Sequence, residues 1–516
     1  MEQKIRLKLK RYVFGGVVLC LCIQGLSGVL TGCAQAAQSK SEACIPSDDQ
    51  VEDIVYMYPC YTSIPDGLHD VQEAINKITV KKIGVRVLLR PVLKASYNQQ
   101  VSLMMQNDGE VDLLTVQGNY DQLALKGELL DLNRLVETYG QGIKAALGEL
   151  YDRAVIGEHR YGVPVVAGRA MSAHFIMRRD LLEETGVDIR GIMPVDDIMD
   201  MDENLKILED VFQGVRKAHP DMEICIVPNS KILLEKLINY DPMNDELGVL
   251  MLGENSNQVV NLYETQAFEK LVRLAMRWSS LGYISREKAL NMASATELLG
   301  TGEAFADIVY TQQGVEAQYK QSTGYDFTAV CMMKPVLISR DYDEAINCIP
   351  ASSKNPVGAM KFLNLMYTDP EIVNLMAYGV PGKHYVFTQD GTVDYPPGIT
   401  AAESPYPCVQ TWLFGNTLLD HVKAGNDPKL YEIQAENMAS APRSPAFGFS
   451  YDSTPVESQV RACQDLVEQY KYGLLCGGLD LEMLEAFNAK LKEAGIDDII
   501  MEKQRQFDAW REKNAN

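Results

Sequence analysis

The chain has 516 residues, with 48 Lys or Arg against 70 Asp or Glu, so its formal net charge at pH 7 is −22. Nucleic acids and anionic membrane surfaces are bound through clustered Lys and Arg side chains, and this charge argues against both as partners. The length exceeds one ordinary hydrophobic core, so two lobes are expected.

The first 32 residues have the pattern of a bacterial lipoprotein signal peptide. Five basic residues precede an apolar run, Val13–Ile23, which leads into small residues. The tetrapeptide LTGC matches the lipobox, in which the cysteine after the cleavage site takes a diacylglycerol. We therefore predict a signal peptide over 1–32, lipid attachment at Cys33 and a flexible tether over 33–53. An uncleaved helical anchor through Tyr12–Leu30 is the alternative.

After the tether, apolar strand-like runs alternate with amphipathic helical patterns. The predicted strands are 53–59, 84–90, 110–116 and 162–168, and the predicted helices are 67–79, 96–109 and 121–140. Strands separated by helices predict parallel βαβ units with right-handed crossovers. We assign residues 54–168 to a first lobe.

A second α/β series begins near residue 170. A short joint, Gly168–Ser172, separates two strand-like runs and is the predicted hinge. The next predicted elements are strands over 173–179, 223–229 and 305–310 and helices over 202–218 and 265–284. We assign residues 169–330 to a second lobe.

Residues 331–516 are predicted to complete both lobes and to end in helices. Asn355 can cap a helix that Pro356 opens, and Asp369 with Pro370 repeats the arrangement. Two more helices are predicted over 479–495 and 497–513. Eight cysteines follow Cys33 without a CxxC motif, and the sequence leaves open whether they form disulfides.

Several segments, taken in order, resemble the LplA/LipO-type solute-binding lipoproteins of Gram-positive bacteria, a branch of the extracellular solute-binding family 1. These segments are LTGC, RYGVP, IMRRDLLEETGVDI, NPVGAMKFLNLMYTDPEIVNLMAYGVPGKHY, WLFGN, FGFSYDSTPV and LKEAGIDDIIMEKQRQFDAW. The last third resembles the uncharacterised C-terminal domain that defines the branch. The resemblance covers nearly all of the chain after the lipobox. It implies an α/β, two-lobed periplasmic-binding-protein-like fold of type II, with the ligand cleft between the lobes.

The resemblance also implies a function. Such a protein is the extracellular, lipid-anchored substrate-binding component of an ABC importer, a monomer that closes around an oligosaccharide and delivers it to permease subunits in the membrane. A peptide receptor is an alternative, because the negative body suits cationic peptides. A secreted glycoside hydrolase and a surface adhesin are further alternatives, since acids for a carboxylate pair are plentiful.

The sequence lacks the common motifs of metalloproteases, serine hydrolases and nucleotide-binding enzymes. HExxH, GxSxG and P-loop patterns do not occur, so we predict no enzyme activity and no cofactor. The acidic run 196–203 lacks the EF-hand spacing, and no metal site is predicted. Trp278 and His384 are interpreted as structural.

A sugar presents hydroxyl groups at its edge and CH groups on its faces, so its receptor needs polar side chains and aromatic rings. In open α/β sheets these lie beyond the carboxyl ends of the strands. The residues predicted to bind ligand are Tyr58, Tyr61, Gln117, Asn119, Tyr120, Arg169, Tyr310, Trp412 and Asn416. Trp412 is the strongest candidate because it lies in irregular, turn-rich chain. A packing role is the alternative for each tyrosine, and an ion pair across the hinge is the alternative for Arg169.

Overall fold

The structure is a computed structural model that describes residues 51–514 except 62, 106–109, 153–154, 157, 168–169, 227–232, 254–256, 285–294, 340–344 and 408–409. The predicted signal peptide, Cys33, most of the tether and Arg169 lie outside the described residues. Within the described ranges, no helix combines the length and the apolar character needed to cross a bilayer.

The first lobe is built on a five-stranded sheet. Its strands, in spatial order, are Val85–Leu93, Glu52–Cys60, Leu113–Val116, Ile346–Cys348 and Gly162–Pro164. The first three run parallel, which confirms the predicted βαβ arrangement there, and Ile346–Cys348 is antiparallel to both neighbours. Ile346–Cys348 was not predicted, because three residues are too few to show the alternation of apolar and polar side chains that is typical of a strand.

Helices from two distant parts of the chain cover this sheet. They are Leu68–Ile83, Lys94–Met105, Tyr120–Leu125, Asn133–Tyr139, Gln141–Leu147, Pro356–Thr368 and Pro370–Tyr378. Both predicted caps are confirmed, because the Asn355 side chain accepts a hydrogen bond from Gly358 N and Asp369 accepts one from Glu371 N. Residues after 345 therefore return to the core of the first lobe.

The prediction of a single helix over 121–140 is wrong. The structure has two helices, Tyr120–Leu125 and Asn133–Tyr139, separated by extended chain. Gly127 between them has a φ of 72°, which ends the first helix, and the Leu130 N–H bonds to Ile349 O at 2.9 Å instead of to a helical partner. Tertiary pairing overrides the helical pattern here.

The second lobe is built on a four-stranded sheet. Its order is Phe327–Cys331, Ser172–Arg178, Ala304–Thr311 and Glu223–Ile226. Ser172–Arg178 is antiparallel to both neighbours, so the predicted βαβ alternation holds only for the last two strands, which are parallel. Its helices are Arg179–Thr185, Asp202–Ala218, Gln266–Ser280, Ala295–Gly300 and Val315–Thr323. Trp278 is fully buried against Phe175 and Phe212, as its structural interpretation predicts.

A three-stranded antiparallel sheet extends the second lobe. Its strands are Val259–Val260, Val249–Met251 and Tyr240–Asp241. Four helices form the C-terminal part of the chain: Leu430–Ser440, Glu457–Leu475, Leu481–Ala494 and Ile496–Asn514. The last three pack on the core of the second lobe, where Leu474, Phe487 and Phe507 are fully buried. The last two helices were predicted from the sequence, whereas Glu457–Leu475 was not.

Small elements complete the described fold. Two short hairpins pair Val155–Ile156 with His159–Arg160 and Val386–Phe387 with Val393–Asp394. Turns of 3₁₀ helix occur at Gly148–Asp152, Ile189–Gly191, Ile198–Asp200, Leu233–Leu237, Leu262–Glu264, Thr411–Leu413, Thr417–Leu419 and Thr454–Val456. The described cysteines Cys60, Cys225, Cys331, Cys348, Cys463 and Cys476 carry free thiols.

Three chain segments connect the sheet of the first lobe with the elements of the second. They are residues 165–171, 332–345 and 441–449, in the parts that the structure describes. The second and third run side by side, since Leu337 N donates to Pro442 O at 2.9 Å and Ser444 N donates to Leu337 O at 2.8 Å. We keep the boundaries 54–168, 169–330 and 331–516 as proposals.

Candidate ligand-binding site

Three side chains that directly follow three neighbouring parallel strands meet at one edge of the first sheet. Tyr61, Lys94 and Gln117 come after Glu52–Cys60, Val85–Leu93 and Leu113–Val116, and the carboxyl ends of parallel strands share an edge. The Tyr61 hydroxyl donates to Gln117 Oε1 at 2.9 Å, and Lys94 Nζ donates to the same oxygen at 2.8 Å. Lys94 Nζ also lies 5.8 Å from the centre of the Tyr61 ring.

Two residues from the C-terminal half of the chain join this edge. The Trp412 indole meets the Tyr61 ring edge to face, with centroids 5.5 Å apart. Gln410 is largely buried; its Oε1 accepts from Tyr61 N at 3.0 Å and its Nε2 donates to Pro59 O at 3.1 Å. We name Tyr61, Lys94, Gln117, Gln410 and Trp412 the strand-end cluster.

The strand-end cluster combines apolar ring faces with hydrogen-bonding groups. Tyr61 is 43% exposed and Trp412 is half-buried, so surface from both side chains is open to a ligand. Gln410 fixes the backbone of the loop that carries Tyr61, which orders the ring before any ligand arrives. Such a surface suits a molecule with apolar faces and a hydroxylated rim.

The second lobe has a pocket at one end of its sheet. Tyr310 pairs with Ala173 at the start of Ser172–Arg178, directly after the first crossing segment. Lys236 Nζ lies 5.5 Å from the centre of the Tyr240 ring and 5.6 Å from that of Tyr310. A small pocket of about 30 Å³ is lined by Met171, Ser172, Lys236, Ile238, Asn239, Tyr240, Tyr310, Met333, Lys334, Val336 and Ile338.

A thiol and an imidazole lie beside this pocket. Cys331 is directly opposite His174 on the neighbouring antiparallel strand, and its Sγ is 3.3 Å from Ser172 Oγ. Burial alone would raise the pKa of the Cys331 thiol, but the hydrogen bond and charge of His174 outweigh burial and lower it. The ring nitrogen Nδ1 of His174 is 2.9 Å from Ser172 O, which orients the imidazole.

The amino-acid sequence is similar to a family of unknown function and to a curated transport protein. Residues 445–512 match the family described as "Domain of unknown function (DUF3502)", which confirms the predicted uncharacterised C-terminal domain. Over 97% of this chain and 98% of the relative, the chain is 23% identical to a "Carbohydrate ABC transporter substrate-binding protein" of Streptococcus pneumoniae serotype 4.

Solved structures share the fold over almost the whole chain. The N-glycan transport solute binding protein (NgtS) of Streptococcus pneumoniae is 23% identical, with a TM-score of 0.78 over 90% of this chain and 100% of that one. The alginate-binding protein AlgQ2 is 17% identical, with a TM-score of 0.60 over 91% of this chain and 100% of that one. The chain has the type II solute-binding fold. The predicted fold class is therefore confirmed.

Within this solute-binding fold, three of the predicted ligand residues come together. Tyr61, Gln117 and Trp412 all belong to the strand-end cluster. Tyr310 lies in the pocket of the second lobe. Asn119 is half-buried one residue before the helix Tyr120–Leu125, and its side chain makes no capping hydrogen bond. Their contact with ligand stays a prediction.

Three other predicted ligand residues are buried in the first lobe, where they pack against or hydrogen-bond to neighbouring residues. Tyr58 is 2% exposed and packs edge to face against Phe414 at 5.2 Å. Tyr120 is 1% exposed, and its hydroxyl accepts a hydrogen bond from Tyr161 N. Asn416 is largely buried and caps the turn Thr417–Leu419 through Leu418 N. All three side chains are buried in this conformation, and their contact with ligand stays a prediction.

Sequence reasoning missed Lys94, Gln410, Lys236 and Tyr240. Lys94 had a usable signal, since it follows a strand, but that strand was predicted to end at Arg90 and in fact continues to Leu93. Gln410 lies in irregular chain, Lys236 in a turn of 3₁₀ helix and Tyr240 in a two-residue strand, where no local pattern identifies a cleft. Among the described residues, no group of three His, Cys, Asp or Glu side chains is placed to hold a metal ion.

Proposed function

We propose that this chain is the lipid-anchored substrate-binding component of an ABC importer and that it captures an oligosaccharide between its two lobes. The strand-end cluster carries the proposal, because it places an indole, a phenol, two amides and an ammonium group where this fold binds ligands. The similar proteins support the same ligand class, since they are a carbohydrate ABC transporter substrate-binding protein, an N-glycan transport solute binding protein and an alginate-binding protein.

Closure of the lobes gives the mechanism. A sugar laid against Tyr61 and Trp412 gains contacts with Tyr310 and Lys236 only when the second lobe approaches. Because the closed form then binds ligand more tightly than the open form, the ligand shifts the population towards closure. The permease subunits in the membrane receive the sugar from the closed form.

Attachment to the outer face of the cytoplasmic membrane completes the proposal. Cys33 would carry the diacylglycerol, and the polar stretch up to residue 53 would let a monomeric body reach the permease. Radiolabelled palmitate should be incorporated into the parent protein and not into a Cys33→Ser variant. Equal labelling of both forms would contradict this anchor.

Isothermal titration of the protein without residues 1–33 tests the ligand class. The probes are a mannosyl-N-acetylglucosamine series, uronate oligosaccharides, and peptides of three to five residues. We expect saturable binding of a saccharide, a smaller radius of gyration by X-ray scattering, and unchanged saccharide after incubation. Binding of peptides alone would move the assignment to a peptide receptor, and cleaved saccharide would move it to a hydrolase.

A further inference from the structure

The second lobe contains a loop with unfavourable backbone angles. Among the described residues, the non-glycine residues with positive φ are Met243 at 45°, Asn244 at 95° and Glu246 at 62°. All three lie in residues 242–248, between the strands Tyr240–Asp241 and Val249–Met251, and we name this segment the strained loop. A side chain with a Cβ atom avoids this region unless its surroundings impose it.

Two lysines of the C-terminal domain hold the strained loop. Lys471 Nζ is 2.7 Å from Glu246 Oε2 and also contacts the Glu235 carboxylate. Lys503 is fully buried, and its Nζ donates to Asp245 Oδ1 at 2.5 Å and to Gly248 O at 3.0 Å. Both lysines belong to residues 445–512, the domain of unknown function. The ion pairs are therefore contacts of that domain with the loop.

The strained loop also contacts the second crossing segment. Asp241 and Ser339 are both fully buried, and Asp241 Oδ2 accepts from Ser339 N at 2.7 Å. Asp241 Oδ1 accepts from the Ser339 hydroxyl at 2.5 Å and from Met243 N at 3.0 Å. One carboxylate thus binds the loop and the crossing segment together.

The second crossing segment and the strand that precedes the strained loop form part of the wall of the second-lobe pocket. Val336 and Ile338 of the crossing segment line the pocket beside Tyr240 and Lys236. The Tyr240 hydroxyl donates to Glu246 Oε1 at 3.1 Å, so the pocket wall is bonded to the strained loop. A change in the loop is transmitted to the wall and to the crossing segment by direct contacts.

We infer that the C-terminal domain of unknown function sets the geometry of the hinge and the ligand pocket, with Lys471 and Lys503 as positioning residues that act through the strained loop and Asp241. Without the lysines, the loop relaxes towards negative φ, and the Asp241 carboxylate loses its fixed place against Ser339. The inference rests on the proposed function for its ligand, but its effect on the hinge is independent of any ligand.

Hydrogen exchange read by mass spectrometry tests the inference on the whole protein. The variants are Lys471→Gln and Lys503→Met, and the control is Lys492→Met, an exposed lysine of the same domain that pairs with Glu264 outside the loop at 2.6 Å. We expect exchange in residues 333–339 to rise by about tenfold or more in both test variants and by less than about twofold in the control. Asp241→Asn keeps both lysines and should produce the same rise.

The inference would be overturned if exchange rose in residues 242–248 but not in residues 333–339. It would also be overturned if the thermal transition fell while exchange in both segments stayed unchanged. If a lysine variant does not fold, Lys471→Arg and Asp241→Asn provide the comparison. Affinity for mannosyl-N-acetylglucosamine should fall about fivefold or more in the test variants. If the parent binds no saccharide, the proposed function fails, while the exchange comparison still decides the inference.

Discussion

The two walls of the proposed ligand site are built in different ways. In the first lobe, Tyr61, Lys94 and Gln117 owe their positions to the strands that they directly follow. In the second lobe, Tyr240 and Lys236 lie on a segment held by buried charges, and Lys471 reaches Glu246 across 225 residues of sequence. Sheet register places the strand ends of the first wall, and neutral hydrogen bonds from Gln410 then fix the Tyr61 loop. The second wall, in contrast, loses its geometry when one partner of an ion pair is removed.

The largest loss of unfolding free energy should come from replacing Lys503, a buried cation behind the second wall. Lys503→Met leaves the Asp245 carboxylate buried without its partner, and such a loss costs about 3–5 kcal/mol of unfolding free energy. Urea denaturation measures the change. Arg505→Met is the matched control on the same helix, since Arg505 is exposed and solvent screens its pair with Glu502, so its loss should change stability little. Equal losses in both variants would remove the contrast between the walls.

Removing the indole of the first wall should affect binding more than stability. Trp412→Ala deletes the ring that meets Tyr61 and should weaken saccharide binding by about 2 kcal/mol, as for a residue at the centre of a binding surface. Its thermal transition should stay near that of the parent. Titration calorimetry and calorimetric melting measure the two quantities.

Trp510→Ala is the matched control for loss of an indole. Trp510 stacks on Phe507 in the C-terminal helix, so its removal should lower the thermal transition. Full saccharide affinity in Trp412→Ala would show that the indole is not part of the site.

The sheet of the second lobe should also give the protein a pH dependence. Burial raises the pKa of Asp307 from 3.8 to about 8, so the folded protein holds a proton that the unfolded chain releases between these values. Stability therefore falls as pH rises through this window, by about 1.4 kcal/mol between pH 6 and pH 7. Asp307→Asn cannot titrate and should lack this part of the decline in chemical denaturation. Parallel curves for parent and variant would contradict the assignment.

The smallest effect should come from one hydroxyl of the strand-end cluster. Tyr61→Phe keeps the ring but loses its exposed hydrogen bond to Gln117. The ring is then held less firmly, and we expect saccharide binding to weaken by about 0.5–1 kcal/mol. Calorimetric titration measures this change, and Tyr139→Phe on a helix of the first lobe serves as the control. A loss as large as that of Trp412→Ala would indicate that the hydroxyl itself contacts the ligand.

Local pattern predicted much of the fold and part of the first wall. The helix 202–218 has the predicted bounds because its apolar face is continuous, with Leu208, Val211 and Phe212 fully buried. Tyr61, Gln117 and Trp412 were predicted from the rule that ligands bind beyond strand ends and from the turn-rich chain around the indole. These inferences need only a few neighbouring residues.

Long-range pairing accounts for what the sequence did not reveal. The helix predicted over 121–140 is interrupted because Leu130 pairs with residue 349, and nothing near residue 130 indicates that partner. The contacts of Lys471 and Lys503 with the strained loop join residues 225 and 258 positions apart, and any two opposite charges in the chain are equally plausible on sequence alone. The second wall therefore required the structure.

The strand Ile346–Cys348 has a consequence for how the chain matures. It fills the gap between Leu113–Val116 and Gly162–Pro164, so both remain with an open edge until it arrives. The four-stranded sheet of the second lobe needs nothing beyond Cys331. A nascent chain that leaves the ribosome N-terminus first thus begins the sheet of the first lobe before that of the second lobe and completes it afterwards. Open strand edges can pair with other chains. We therefore expect a chaperone to be needed most after Gly162–Pro164 is synthesised and before Ile346–Cys348 is paired.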